Sequence, residues 1–281
     1  MDDPTSIRSE ILTHYEGFSE RDRLSGGDGL LEKVRTQELL GRYLPAPPAV
    51  VLDVGGGPGI YAIWLARLGY EVHLVDPLPL HVEQALEVSA MAEHPLASAV
   101  VGDAGRLAAG PGSVDAVLLL GPLYHLPDQT DRLTALAEAL RVLRAGGVVL
   151  AAGISRFASA IDGLGGGFID DPFFADIVDG DLTDGSHVNP TQIVDYFTTA
   201  FFHHPDELRS ELAETGFADV DVLAVESFGW AAPDLDDRLR DPEKRDRLLK
   251  LIARVETEPS LLGASPHLLA VGRKPAGAAS S

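Results

Sequence analysis

The run Asp53-Val54-Gly55-Gly56-Gly57-Pro58-Gly59 sets four glycines beside a carboxylate, directly after the apolar, β-branched stretch 50–54. Glycine reaches positive φ and carries no Cβ, so such a turn lets the backbone itself lie against a ligand. Asp76 ends the next apolar run, where a carboxylate can accept both hydroxyls of a ribose and would repel a 2′-phosphate. A third acid, Asp103, stands in Gly102-Asp103-Ala104, and Leu120-Gly121-Pro122-Leu123-Tyr124-His125 follows the fourth apolar run. An imidazole titrates near neutrality, which makes His125 a candidate general base, with Tyr124 as a pocket wall or a packing ring. The chemistry these residue types can do is to cradle a nucleoside and move a proton beside it.

The dinucleotide fingerprint needs glycines at its first, third and sixth positions. Counted from Gly55 and Gly57, the sixth position is Ile60, so that fingerprint fails. What stands instead, Asp-x-Gly-x-Gly-x-Gly, resembles the first motif of class I S-adenosylmethionine-dependent methyltransferases. Arg144-Ala145-Gly146-Gly147 is similar to that family's turn before the fifth strand. The resemblance implies S-adenosyl-L-methionine as cofactor and S-adenosyl-L-homocysteine as product. It places Asp53, Gly55, Gly56, Gly57 and Gly59 against the methionine part, and Asp76 with Pro77 at the ribose. Asp103 would meet the adenine amino group beside a backbone amide, here at Ala104, and Leu120 with the residues after it would touch cofactor and substrate. The segment from Tyr15 to Arg23 resembles the lid of small-molecule methyltransferases. On that likeness Tyr15 and Arg23 hold cofactor, and Glu20 is a second acid/base group. Two rivals stay open: an NAD-dependent oxidoreductase, and a relative that keeps the cofactor without transferring methyl groups.

These residues need a scaffold that brings strand ends together. Apolar runs at 50–54, 71–75, 99–101, 116–120 and 148–152 alternate with helical spacing at 61–68, 80–91 and 129–143. Strands alternating with helices predict right-handed crossovers and a doubly wound α/β, Rossmann-like parallel sheet, buried on both faces. The resemblance implies seven strands in the order 3-2-1-4-5-7-6, the last antiparallel. Around that core we read an N-terminal helical lid (1–48, helices broken by a loop at 25–29), the cofactor core (49–155) and a cap insertion (156–204). The rest of the core follows (205–274, with an insertion at 227–262), then a disordered tail (275–281). The two insertions would cover a substrate, decorate the fold or make a subunit contact, as in a homodimer.

The cap shows no clean period but gathers Phe168, Phe173, Phe174, Tyr196, Phe197, Phe201 and Phe202, which suit an apolar acceptor or a small core of their own. His203-His204 before Pro205 can aim at most one ring inward from an extended segment, or simply end a loop at a helix N-terminus. His187, Asn189 and Asp170-Asp171 raise a divalent metal, yet they sit in the insertion and not at the strand ends, so no metal is assigned. Lys plus Arg number 22 against 43 Asp plus Glu, a formal net charge of −21. Such a surface repels phosphate backbones and anionic lipid, which disfavours nucleic acid and membrane partners. The resemblance, nearest to bacterial small-molecule enzymes of the quinone-methylating and natural-product-tailoring kind, implies a small or medium-sized metabolite as acceptor. There is no cysteine, which excludes thiolate ligands and a cysteine nucleophile and suits a reducing compartment. The acidic start Met1-Asp2-Asp3-Pro4 offers no basic and apolar leader, and the expected location is the cytoplasm.

Overall fold

The computed structural model describes residues 24, 26–191 and 193–276. Helix α1 (Gly27–Tyr43) leads into β1 (Val50–Val54), α2 (Ile60–Arg67), β2 (Glu71–Asp76), α3 (Pro79–Ala90) and β3 (Ser98–Val101). The second half of the winding is β4 (Val114–Leu119), α4 (Gln129–Val142) and β5 (Leu143–Ser155). Every neighbouring pair in β3-β2-β1-β4-β5 is parallel. The cap then forms α5 (Ala158–Gly166), α6 (Pro172–Asp184) and a hairpin of β6 (Ser186–His187) and β7 (Ala200–His203). The chain closes with α7 (Pro205–Thr215), β8 (Ala218–Ala224), α8 (Leu235–Arg240), α9 (Pro242–Val255) and β9 (His267–Arg273).

β9 lies antiparallel along β5 and β8 lies antiparallel along β9. With the cap hairpin set aside, the order is 3-2-1-4-5-9-8, which is the expected winding with its last strand reversed. β5 outruns β4, and its final residues Ile154 and Ser155 pair in parallel with Phe202 and His203 of β7. The cap is thereby hydrogen-bonded into the sheet it covers.

Side chains of β4 alternate between two cores, as period-two geometry requires. Val117 and Leu119 face Leu136, Ala139, Leu208 and Leu212 of α4 and α7. Ala116 and Leu118 face Leu39 and Leu40 of α1, Ala62 and Leu65 of α2, and Ala85 of α3. Burial on both faces explains why the strands read as unbroken apolar runs.

Three boundaries differ from the sequence reading. The loop expected at 25–29 is mostly helix: α1 starts at Gly27, whose amide donates to the Asp236 carboxylate of α8 at 2.7 Å, a contact between residues far apart in sequence. α4 stops at Val142 and β5 begins at once, because Leu143 pairs with Val114 before an irregularity brings Val148 opposite Ala116. The patternless stretch 156–204 holds two helices and a hairpin around a small core of Phe174, Ile177, Val178 and Tyr196, with Phe168 against it. Among the described residues, no helix is long and apolar enough to cross a membrane.

Helix α1 is fastened by one side chain. Arg35 is fully buried; its Nε donates to the Val225 carbonyl at 2.9 Å and its Nη2 to Glu256 at 2.6 Å. Glu256, itself buried, also pairs with Arg42. Losing one member of a buried ion pair strands the other charge, so Arg35→Ala is expected to lower stability by about 3 kcal/mol or more in denaturant unfolding. A loss below about 1 kcal/mol, the range of an exposed pair, would show that α1 is held otherwise.

Candidate functional site

The carboxyl ends of the parallel strands open into a cleft that, with the solvent at its mouth, encloses about 1300 Å³. Asp53, Gly55, Gly56, Gly57, Asp76, Pro77, Asp103, Ala104, Leu120, Tyr124 and His125 all line it. Gly59 does not belong to that lining; at φ 85° it is the N-cap of α2 and packs near Ile63 and Ala85. Tyr15, Glu20 and Arg23 lie outside the described residues.

The turn after β1 needs its glycines for reasons of space. Gly55 has φ +67°, and a Cβ there would sit 2.7 Å from the Pro122 ring. A Cβ on Gly56 would meet the Asp53 carboxylate at 2.8 Å. With no side chains between them, the Gly55 amide donates to the Val75 carbonyl at 2.7 Å and the Gly57 amide to Oδ2 of Asp76 at 2.8 Å. Asp76 also accepts from the Leu78 amide at 2.9 Å and stands 3.1 Å from Nδ1 of His81. Each carboxylate oxygen can accept more than one bond, so Asp76 anchors the turn and keeps lone pairs for a further donor. Asp103 accepts from the Gly105 amide at 2.6 Å, a local turn that sets its carboxylate at the cavity wall beside Ala104.

Asp53 and Asp76 are buried together, 1% and 3% exposed. Burial, then repulsion from Asp76, pushes the Asp53 carboxyl up to about 7, with the Ala62 amide pulling the other way. Its Oδ2 has no hydrogen-bond partner. A buried acceptor without a donor, in a wall that also holds Asp76, fits a ligand bringing positive charge or N–H groups to the glycine turn.

His125 and Tyr124 stand on a short 3₁₀ turn after β4. Their ring centroids are 4.6 Å apart, and Phe197 of the cap lies 5.8 Å from His125. That ring is the cap's approach to the cavity, whose lining includes none of residues 156–204. The other cap candidates have local tasks. His187 stands 3.0 Å from Asp181 and 2.9 Å from the Tyr196 carbonyl, Asn189 donates to the Ile193 and Phe197 carbonyls, and Asp171 caps α6. His203 is buried at 3.3 Å from Glu211, whose carboxylate also holds Arg132, while His204 caps α7. Burial holds His203 below the usual imidazole range, against the pull of Glu211.

Sequence reasoning missed the wall made by Leu24, Glu32 and Thr36 with Val225, His267 and Leu269, and it missed His81. Glu32 and Thr36 share a helix face four residues apart, a readable signal; His267 depends on long-range pairing and had none.

The Asp53 carboxyl gives a pH signature. Its folded-state value lies above the unfolded one, so its contribution is fully present below about pH 4 and is lost as pH rises through about 7. At pH 8 the ionised group costs roughly 4 kcal/mol by that difference. Asp53→Asn is therefore expected to raise the ligand-free Tm at pH 8 by about 7 °C, with the gain vanishing toward pH 4. A gain independent of pH would remove the ionised carboxylate as its cause.

Comparison with known proteins places this geometry. Residues 51–147 match the family described as a methyltransferase domain. The chain is 31% identical over 146 residues to ribosomal RNA small subunit methyltransferase C of Alcanivorax borkumensis, covering 51% of this chain and 42% of that protein. It is 36% identical over 118 residues to the ubiquinone biosynthesis O-methyltransferase of Xanthomonas campestris, covering 41% and 46%. The matches thus span less than half of each relative's own length. A solved S-adenosylmethionine-dependent methyltransferase of Methanosarcina mazei shares the fold at TM-score 0.56 and 16% identity, covering 84% of this chain and 97% of its own. The strand order and the matched span agree: residues 51–147 match a methyltransferase domain, and the chain has the Rossmann-like fold of solved S-adenosylmethionine-dependent methyltransferases.

Proposed function

We propose that the protein transfers a methyl group from S-adenosylmethionine to a small or medium-sized metabolite. The observation that carries this is the cleft itself: a side-chain-free turn, an orphaned buried Asp53 oxygen, and Asp76 and Asp103 along one wall. Those residues fit the cofactor's three parts, with Gly55 to Gly57 and Asp53 toward the amino-acid end, Asp76 and Pro77 at the ribose, and Asp103 with Ala104 at the adenine. When bound, the cofactor supplies an electrophilic methyl group on a good leaving group, so the protein's share is alignment, exclusion of water and removal of a proton. Leu120 and the rings of Tyr124 and His125 stand after the end of β4 on the wall of the same cavity, and they would meet the cofactor and the acceptor there.

The acceptor class rests on charge and shape. A formal net charge of −21 opposes a polyanion, and the cavity lining, among the described residues, holds Glu32, Asp53, Asp76 and Asp103 but no lysine or arginine. The likeness to a ribosomal RNA methyltransferase favours RNA as a second reading. We read the bacterial small-molecule enzymes as the nearer functional kin, working in the cytoplasm, with a homodimer compatible with the insertions.

Incubation with isotopically methyl-labelled cofactor, separately with a bacterial small-molecule extract and with ribosomal RNA, tests this reading by mass spectrometry. Label is expected in the small-molecule fraction; label confined to RNA, or none in either, would overturn the acceptor class or the transfer activity respectively. Asp76→Ala is expected to weaken S-adenosylhomocysteine binding at least about tenfold in calorimetry, as loss of charge-assisted hydrogen bonds does.

A further inference from the structure

Because β9 runs antiparallel to β5, its first residue, His267, arrives beside Ile154 at the edge where the parallel strands end. β8 is antiparallel to β9 in turn, so the chain leaving Ala224 carries Glu226 to the same edge. Oε1 of Glu226, a side chain 2% exposed, lies 2.7 Å from Nδ1 of His267. Oε2 of Glu226 accepts from the Ser265 hydroxyl at 2.9 Å and from the His267 amide at 3.1 Å. The Ser265 oxygen accepts the amides of Glu226 and Ser227, both at 3.0 Å, so the carboxylate is locked on three sides. A carboxylate only accepts, so Nδ1 carries the ring proton and Nε2 is the basic nitrogen of the neutral imidazole.

His267 lines the cavity that holds the glycine turn. We infer that the His267–Glu226 pair is the general base of this site, His267 taking the acceptor's proton while Glu226 fixes the ring and stabilises the imidazolium. This rests on the methyl-transfer reading above. The electron pair of the acceptor's X–H bond forms the new X–CH₃ bond, its proton goes to Nε2, and the electron pair of the broken S–CH₃ bond stays on sulfur. The imidazolium then gives its proton to water.

The arrangement is that of an activated base: a proton acceptor oriented by a buried third group. His125, by comparison, has its ring set against Tyr124 and Phe197. Negative charge surrounds the pair from each element packed on it. Glu32 of α1 lies 3.9 Å from Nδ1, Asp162 of α5 interacts with both His267 and Glu226, and Asp28 of α1 interacts with Glu226. Burial raises the Asp28 and Asp162 carboxyls above the usual carboxylate range. Glu32, Glu226 and His267 also present ligand atoms within 4.8 Å of one another. The 2.7 Å contact between Nδ1 and the carboxylate has the length of a charge-assisted hydrogen bond.

The full-length protein, ¹⁵N-labelled at histidine and saturated with S-adenosylhomocysteine, allows a test without an acceptor. His267 is expected as the Nδ1–H tautomer, and Glu226→Gln to lower its titration midpoint by roughly one pH unit or more. In turnover with the acceptor found by labelling, His267→Ala is expected to lose about 100-fold in kcat and the acidic limb of the pH profile. S-adenosylhomocysteine affinity should stay within about threefold, and added imidazole should restore about tenfold of the loss. His267→Asn serves as the second variant should alanine disturb β9. An Nε2–H tautomer, an unchanged pH profile, turnover within about threefold of wild type, or an absolute need for a divalent cation would each overturn the assignment. Wild-type protein that binds S-adenosylhomocysteine but labels no acceptor would sink the transfer reading instead, with the tautomer still deciding the pair.

Discussion

Everything on the cofactor side of this molecule hangs on one close approach, that of the turn after β1 to the ends of β2 and β4. The Gly55 amide reaches Val75, the Gly57 amide reaches Asp76, and the Pro122 ring occupies the space a side chain at Gly55 would need. Three strand ends are thereby tied at one point, and the acids they carry converge. The apolar faces above and below the sheet supply the stability that lets such a polar knot stay buried.

The same convergence sets the electrostatics. Asp53 and Asp76 share a dry pocket, and neither has an arginine or lysine to neutralise it among the described lining residues. Proteins keep such unfavourable pairs where a ligand relieves them, since structural acids elsewhere in this chain are compensated. Glu211 is held by Arg132, Glu256 by Arg35 and Arg42, and Glu138 by Arg141. Asp53 and Asp76 have no such cation, and Asp76 is held instead by the Gly57 and Leu78 amides.

How much was legible in the residues themselves follows from how local each signal is. β1, β2, β4 and β5 and the helices around them could be read from runs of consistent period, because burial writes itself into consecutive residues. The edge strand β3 showed only as a short apolar run whose last two valines are exposed. The glycine turn, Asp76 and Asp103 were legible by type and order. The wall formed by Glu32, Val225 and His267 was not, since it exists only through β8–β9 pairing and the Arg35 anchor, contacts between residues about 190 or more apart in one instance. The cap failed to show a period because its elements are short, its core is four aromatic and aliphatic side chains, and its order comes from buried polar bonds such as His187 with Asp181.

The overshoot of β5 past β4 decides what kind of structure the cap is. Phe202 and His203 share ladder bonds with Ile154 and Ser155, and the guanidinium of Arg132 rests 3.7 Å above the Phe201 ring while gripping Glu211 of α7. Swinging the hairpin outward would break strand pairing and expose that stack to water in the same motion. The hairpin is masonry, not a door: variation along its helices can resculpt the exterior while the seam stays shut.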